Sequence, residues 1–193
     1  AKNNRLVALN PATGSFLWDF KIDCGDTPDA RCDINGTPEV DSQNGFIYIG
    51  SANDYVYAVD PQYGAWRWRT KTGGDIRASI VQDENRLLYV GSMDSTLYAL
   101  RPADGAIRWQ SKATSGIDQA PVLTGDGWLY YSDIKGQMYW VNRQNLGGEV
   151  LVWDSGDDSS LAEEMRQYEL THGGVKWEPG TANLSEFRQV GRL

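Results

Sequence analysis

The chain has 193 residues, 40% apolar and 23% charged, with a formal net charge of −8. That length supports a substantial core, and no apolar run approaches the roughly 20 residues of a membrane-spanning helix. No basic stripe interrupts the acidic balance, which argues against a nucleic-acid binder, and 8 Trp and 10 Tyr beside 21 Gly point to many short strands with large buried side chains.

The first element is VALNPATGSFLW, ending at Trp18. It reads as two strands around a turn. Asn10 can accept from the backbone ahead of it, Pro11 presets φ, and Gly14 supplies the positive φ that closes the turn. KIDCGDTPDARCDING follows. Two cysteines at short spacing, Cys24 and Cys32, suit a local disulfide in an oxidising compartment, with two free thiols as the alternative. They are too few for a soft-metal site. Asp23, Asp26, Asp29 and Asp33 crowd this loop without the spacing of a calcium loop, so a solvated acidic loop is expected.

From Ile34 onward one sentence is spelled repeatedly. INGTPEV, IRASIVQ and IDQAPVL start at Ile34, Ile76 and Ile117. Each is followed by a polar turn and then by FIYIGS, LLYVGS or WLYYSD. Asn44-Gly45 and Asp126-Gly127 signal hairpins between these first two strands. YAVDPQYGAWRW then ends at Trp68, YALRPADGAIRW at Trp109, and a looser YWVNRQNLGGEVLVW at Trp153. The Trp markers lie 50, 41 and 44 residues apart, and the first interval holds the cysteine loop. Periods of about 40–50 with short strands mark propeller blades. In the second copy the spacing predicts strands over 77–81, 86–91, 95–100 and 106–111.

The middle strands are apolar on both faces. In LYAL, Leu97 and Ala99 share one face while Tyr98 and Leu100 share the other. A sheet with one wet face would alternate apolar and polar. These sheets are therefore expected to lie covered on both sides by their siblings, with Leu97 and Tyr98 buried.

The repeat LYVGSMDSTLYALRPADGAIRW, with IYIGSANDYVYAVDPQYGAWRW and VALNPATGSFLW, resembles the PQQ-like β-propeller family. The resemblance implies an all-β propeller of four-stranded blades, here about three and a half. The division is a half blade at 5–20 and blades at 34–70, 76–111 and 117–154 within 1–154, then a non-repeat tail at 155–193. In the family, Gly and Trp around the last strand dock neighbouring blades. By position that role falls to Gly14 with Trp18, Gly64 with Trp68, and Gly105 with Trp109. Trp153 is present too, but three extra residues in its turn leave its glycine open. Propellers close with about four to eight blades, and this family with seven or eight. The resemblance therefore implies further blades, or a compact closure in which tail strands near GGVKWE and EFRQVG finish the first blade.

In the tail, SSLAEEMRQYELTHGG (159–174) reads as a short helix. Ser160 and Glu163 form a capping box, and Leu161, Met165 and Tyr168 share a face. His172 is the single histidine and is expected in a loop. Asp154, Asp157 and Asp158 make a second acidic stretch without metal-site spacing.

The resemblance spans two functional classes. One is a non-catalytic scaffold or binding module of the envelope or extracellular space, binding protein or glycan partners or completing itself with further blades. The other is a fragment of a PQQ-dependent quinoprotein dehydrogenase. Such enzymes resemble this chain in their blades, but they add an adjacent cysteine pair, a calcium-binding Glu and Asn, and an Asp base. The adjacent cysteines are missing here, and the other residues find no match. The scaffold reading is therefore preferred, with no catalytic, cofactor-binding or metal residue assigned and no cofactor expected.

Overall fold

The computed structural model describes residues 4–24, 32–125 and 127–143 with side chains, and 150–153 and 187–189 as backbone. All described regular structure is β. The helix expected over 159–174, His172, and the acidic residues Asp26, Asp29, Asp154, Asp157 and Asp158 lie outside the described residues.

β1 (Arg5–Leu9) and β2 (Phe16–Lys21) form a two-stranded antiparallel sheet. β3 (Glu39–Val40), β4 (Ile47–Ser51), β5 (Tyr55–Val59) and β6 (Trp66–Lys71) form the first full blade in sequential order. β7 (Val81–Gln82), β8 (Leu88–Ser92), β9 (Thr96–Leu100) and β10 (Ile107–Lys112) form the second. The third contains β11 (Val122–Leu123), β12 (Trp128–Ser132), β13 (Met138–Asn142) and β14 (Val150–Trp153). It gains a fifth strand, β15 (Phe187–Gln189), antiparallel to β14. The fold is thus a partial propeller of half a blade and three full ones.

Two expectations change. The opening strand of each blade is shorter than the pattern predicts, with β7 only two residues long. Residues ahead of it are held across the blade boundary instead, where the Ile76 N–H donates to the Ser51 carbonyl at 3.0 Å. Ile76, Ala78 and Ile80 are buried all the same. Second, the compact closure would have sent EFRQVG to β1. Its 187–189 segment instead pairs with the outer edge of β14, where unpaired backbone groups await a partner.

The core is divided among the seams between sheets. Tyr48, Val56, Ala58 and Trp68 of the first blade pack against Ile76, Ile80, Leu88, Val90, Tyr98 and Leu100 of the second. The opposite face of the second blade, Tyr89, Leu97 and Ala99, packs against Ile117, Leu129, Tyr131, Tyr139 and Val141. Phe20, Ile22 and Cys32 cover Ile49, Tyr57 and Val59 on the first blade's other side. Leu97 is 0% and Tyr98 7% exposed, so the second sheet is covered on both faces.

Truncating a side chain fully inside a seam leaves a cavity and loses its transfer free energy. Leu97→Ala is expected to destabilise by about 3 kcal/mol, while Arg108→Ala on the exposed side of β10 stays within about 0.5 kcal/mol. Urea midpoints of the two variants against the parent check this.

Candidate docking seams and interaction surface

The turns that precede the outer strands are built as their composition dictates. Asn10 Oδ1 accepts from the N–H groups of Ala12 and Thr13 at 2.9 and 3.2 Å. Asp60 Oδ1 accepts from Gln62 and Tyr63 at 2.8 and 3.2 Å. Each turn closes on a left-handed glycine, with φ of +65° at Gly64 and +72° at Gly105.

Those glycines meet the tryptophans of the preceding copy. The Trp18 indole N–H donates to the Pro61 carbonyl at 2.7 Å, and a Cβ on Gly64 would stand 2.6 Å from Trp18 Cε3. One repeat on, the Trp68 indole donates to the Pro102 carbonyl at 2.8 Å, and a Cβ on Gly105 would stand 2.5 Å from Trp68 Cε3. Trp18 thus sits on Gly64, and Trp68 on Gly105. The glycine four residues before each Trp belongs to the preceding seam. Gly14, first in the series, has open space where its Cβ would be. Trp109 packs in the second seam and against Tyr89, with ring centroids 5.6 Å apart. Its indole nitrogen is buried without an acceptor among the described residues. Trp153 lies on β14, with only its backbone described.

A second set of seam contacts escaped the sequence reading. Gly50 and Gly91, the glycines of IGS and VGS, leave room for Ile76 and Ile117 of the next segment, whose Cγ2 atoms fill the space a Cβ would take. The recurring isoleucine ahead of each copy was the available signal. Carboxylates also cross the seams. Asp41 Oδ2 accepts from Tyr48 OH at 3.1 Å within its blade, and from Arg86 Nη2 at 2.6 Å and Gln82 Nε2 at 3.2 Å in the next. Asp83 Oδ2 accepts from Tyr89 OH at 2.8 Å and from Arg143 Nη1 of the third blade at 3.2 Å. Arg143 reaches Glu84 at 2.8 Å as well.

These contacts set the protonation states. Burial alone would raise the Asp41 carboxyl. Hydrogen bonds from Arg86, Gln82 and the N–H groups of Gln43 and Asn44 outweigh it and hold that carboxyl well below the usual range. Burial, then the adjacent carboxylate, pushes the Tyr48 phenol far up; burial and the bond to Asp83 do the same for Tyr89. Both phenols therefore stay protonated and donate.

Cys24 and Cys32 are joined as a disulfide with Cα atoms 5.5 Å apart. The bridge lies in the seam between the half blade and the first blade. The cysteines are 8 residues apart in sequence, not adjacent, and among the described residues no group of three or more His, Cys, Asp or Glu converges. The described residues do not fit a quinone–calcium site. Among the described residues, no helix is long and apolar enough to cross a membrane.

Gly105→Ala is expected to lose about 2 kcal/mol or more, since it combines left-handed strain with a clash against a buried indole. Trp68→Phe, which removes only the indole bond and part of the ring, loses about 1–2 kcal/mol; thermal midpoints rank the pair. Asp41 stabilises fully above the ordinary Asp pKa of about 3.9, and that contribution fades as pH falls further toward its depressed folded value. Asp41→Asn is therefore expected to be less stable at pH 7 and to change less between pH 5 and pH 2 than the parent, as read from urea midpoints across pH.

The family model described as outer membrane protein assembly factor BamB matches residues 2–182. No curated relative matches the sequence. Among solved structures, BamB from Moraxella catarrhalis aligns with a TM-score of 0.64 at 18% identity, over 81% of this chain and 50% of that one. The chain thus spans about half the length of that neighbour, and the likeness speaks for the fold. Repeated sheets, indole-in-glycine seams and the match over residues 2–182 agree: the chain belongs to the PQQ-like β-propeller family whose model carries the BamB description.

Proposed function

We propose that this chain is part of a non-catalytic propeller scaffold of the cell envelope, working by protein contact in the outer-membrane assembly setting that its family description names. The observation that carries this is how the polar groups are used. The buried carboxylates Asp41, Asp83 and Asp133 are engaged by arginines, tyrosines and turn amides. Their bonds hold blades and turns together and, among the described residues, commit these carboxylates to the seams rather than to a shared cleft. The Cys24–Cys32 bridge supports an oxidising compartment.

The docking roles of Gly14, Trp18, Gly64, Trp68, Gly105, Trp109 and Trp153 belong to this reading, as does the division into blades at 5–20, 34–70, 76–111 and 117–154. Gly14 and the Pro11 carbonyl repeat the groups that receive Trp18 and Trp68. Beside them Val7 and Leu9 are 49% and 54% exposed. Their counterparts Tyr57 and Val59, and Tyr98 and Leu100, are buried against the preceding sheet. A further blade of the same kind, ending in Trp, fits this face.

The test is photo-crosslinking of the full-length protein in its native cells, with probes at exposed positions, followed by fractionation. Crosslinks to envelope proteins are expected, with both cysteines unreactive to maleimide until reduced. A visible absorbance band on adding pyrroloquinoline quinone and calcium, with dye-linked alcohol oxidation, would overturn the scaffold reading.

A further inference from the structure

The chain is acidic overall, yet β6 carries Arg67, Arg69 and Lys71 at alternate positions beside the exposed Trp66. Arg67 is already engaged, donating from Nε and Nη2 to Asp60 Oδ2 at 2.9 and 2.5 Å. Arg69 differs. Its Cζ stands 4.8 Å from the Tyr55 ring centroid and 5.5 Å from that of Trp66, while Lys71 Nζ stands 5.7 Å from Tyr55. Neither Arg69 nor Lys71 forms an ion pair or donates a hydrogen bond among the described residues. The rings steady the cations through their π faces. The N–H donors of a guanidinium lie in its plane, and here they stay open for two-point contact with a carboxylate.

This corner departs from the repeat. Arg69 pairs across to Tyr57 as Asp19 pairs with Val7 and Gln110 with Tyr98. The first two-stranded sheet therefore places an acid, the second blade an amide and the third blade Val152, opposite Tyr139, where this one places a cation, and blade packing does not call for a cation there.

The position in the sheet supplies the second observation. β6 ends the order β3-β4-β5-β6, so among the described residues its outer edge bears no further strand. The matching outer strand of the third blade, β14, is covered by antiparallel β15, with Leu151 opposite Gln189 and Trp153 opposite Phe187. An outer strand of this fold accepts a fifth strand.

We propose that the β6 edge docks an extended acidic segment of a protein partner as an added strand, with alternate carboxylates beside Arg69 and Lys71. Main-chain bonds along the edge supply affinity, and side chains two apart on one face supply specificity. The same cations keep two β6 edges from pairing with each other. This proposal rests on the scaffold reading and deepens it by naming the partner's chemistry.

The test is titration of the isotopically labelled full chain with a soluble peptide of alternating Glu and Thr. A Lys–Thr peptide and a Glu–Thr peptide interrupted by proline serve as controls. Saturable amide shifts confined to residues 66–71 and their neighbours are expected with the first peptide alone, weakening as salt rises. Arg69→Glu with Lys71→Glu is expected to weaken binding by about tenfold or more, with an unchanged thermal midpoint. The Gln double variant gives an intermediate loss and serves if the Glu pair fails to fold. Equal binding of the Lys–Thr peptide, shifts centred elsewhere, or no saturable shift overturns the proposal. The crosslinking experiment separates the two readings. Envelope crosslinks from other surfaces, with no peptide binding at β6, sink this docking edge and spare the scaffold; crosslinks nowhere sink the scaffold.

Discussion

A blade of this chain is apolar on both faces, and that constraint governs everything else. An isolated sheet such as β7–β10 would expose Leu88, Val90, Tyr98 and Leu100 on one side and Tyr89, Leu97 and Ala99 on the other. At about 25 cal/mol per Å² of apolar surface, neither face tolerates water. Stacking copies removes both at once, so the stable unit is the seam rather than the blade. Each described core cluster accordingly draws residues from two successive sheets.

Hydrophobic contact alone is non-directional, and two greasy sheets could slide. The seams have pins against this. An indole that must place its ring on a bare glycine and its N–H on a proline carbonyl fixes one blade against the next at the outer rim. The Asp–Arg contacts fix the seam a second time, through Asp41, Asp83 and Arg86 in the hairpin turns after each opening strand and Arg143 just past β13. A buried ion pair adds little net stability over a greasy substitute, but an unmatched buried carboxylate costs several kcal/mol. A slipped register would orphan Asp41 or Asp83. Tyr48 and Tyr89 add to that penalty, because phenols held protonated by burial and a nearby carboxylate still need an acceptor.

Much of this was legible in the letters. Trp18, Trp68 and Trp109 with their upstream Gly and Pro gave the period. The two-sided apolar pattern of LYAL gave the stacking, and Cys24 with Cys32 gave the bridge. What the sequence hid was adjacency between copies. A repeat shows Gly64 and Trp68 four residues apart, but only three dimensions show that Gly64 receives Trp18. The Asp41–Arg86 contact was hidden for the same reason. Arg86 sits in a hairpin turn at φ +68° and its partner lies one blade back, so no local motif joins them. The short β7 was misjudged because Ile76 and Ile80 look like strand residues, and they are buried like strand residues. The Ile76 backbone, however, is committed to the neighbouring blade through Ser51.

Repetition also separates structure from function. Positions that agree from copy to copy, such as the indoles, their glycines and the Tyr–Asp pairs, are accounted for by seams, since every blade faces the same packing problem. Positions that disagree are released from that problem. Asp19, Arg69 and Gln110 occupy one register in three sheets and share no chemistry. A packing role would have imposed a common shape on them. Asp19 is matched by Arg5 on the paired strand of its own sheet, whereas the Arg69 guanidinium lies over the rings of Tyr55 and Trp66, so it is at Arg69, where the repeat fails to match without such a partner among the described residues, that the proposed specificity is written.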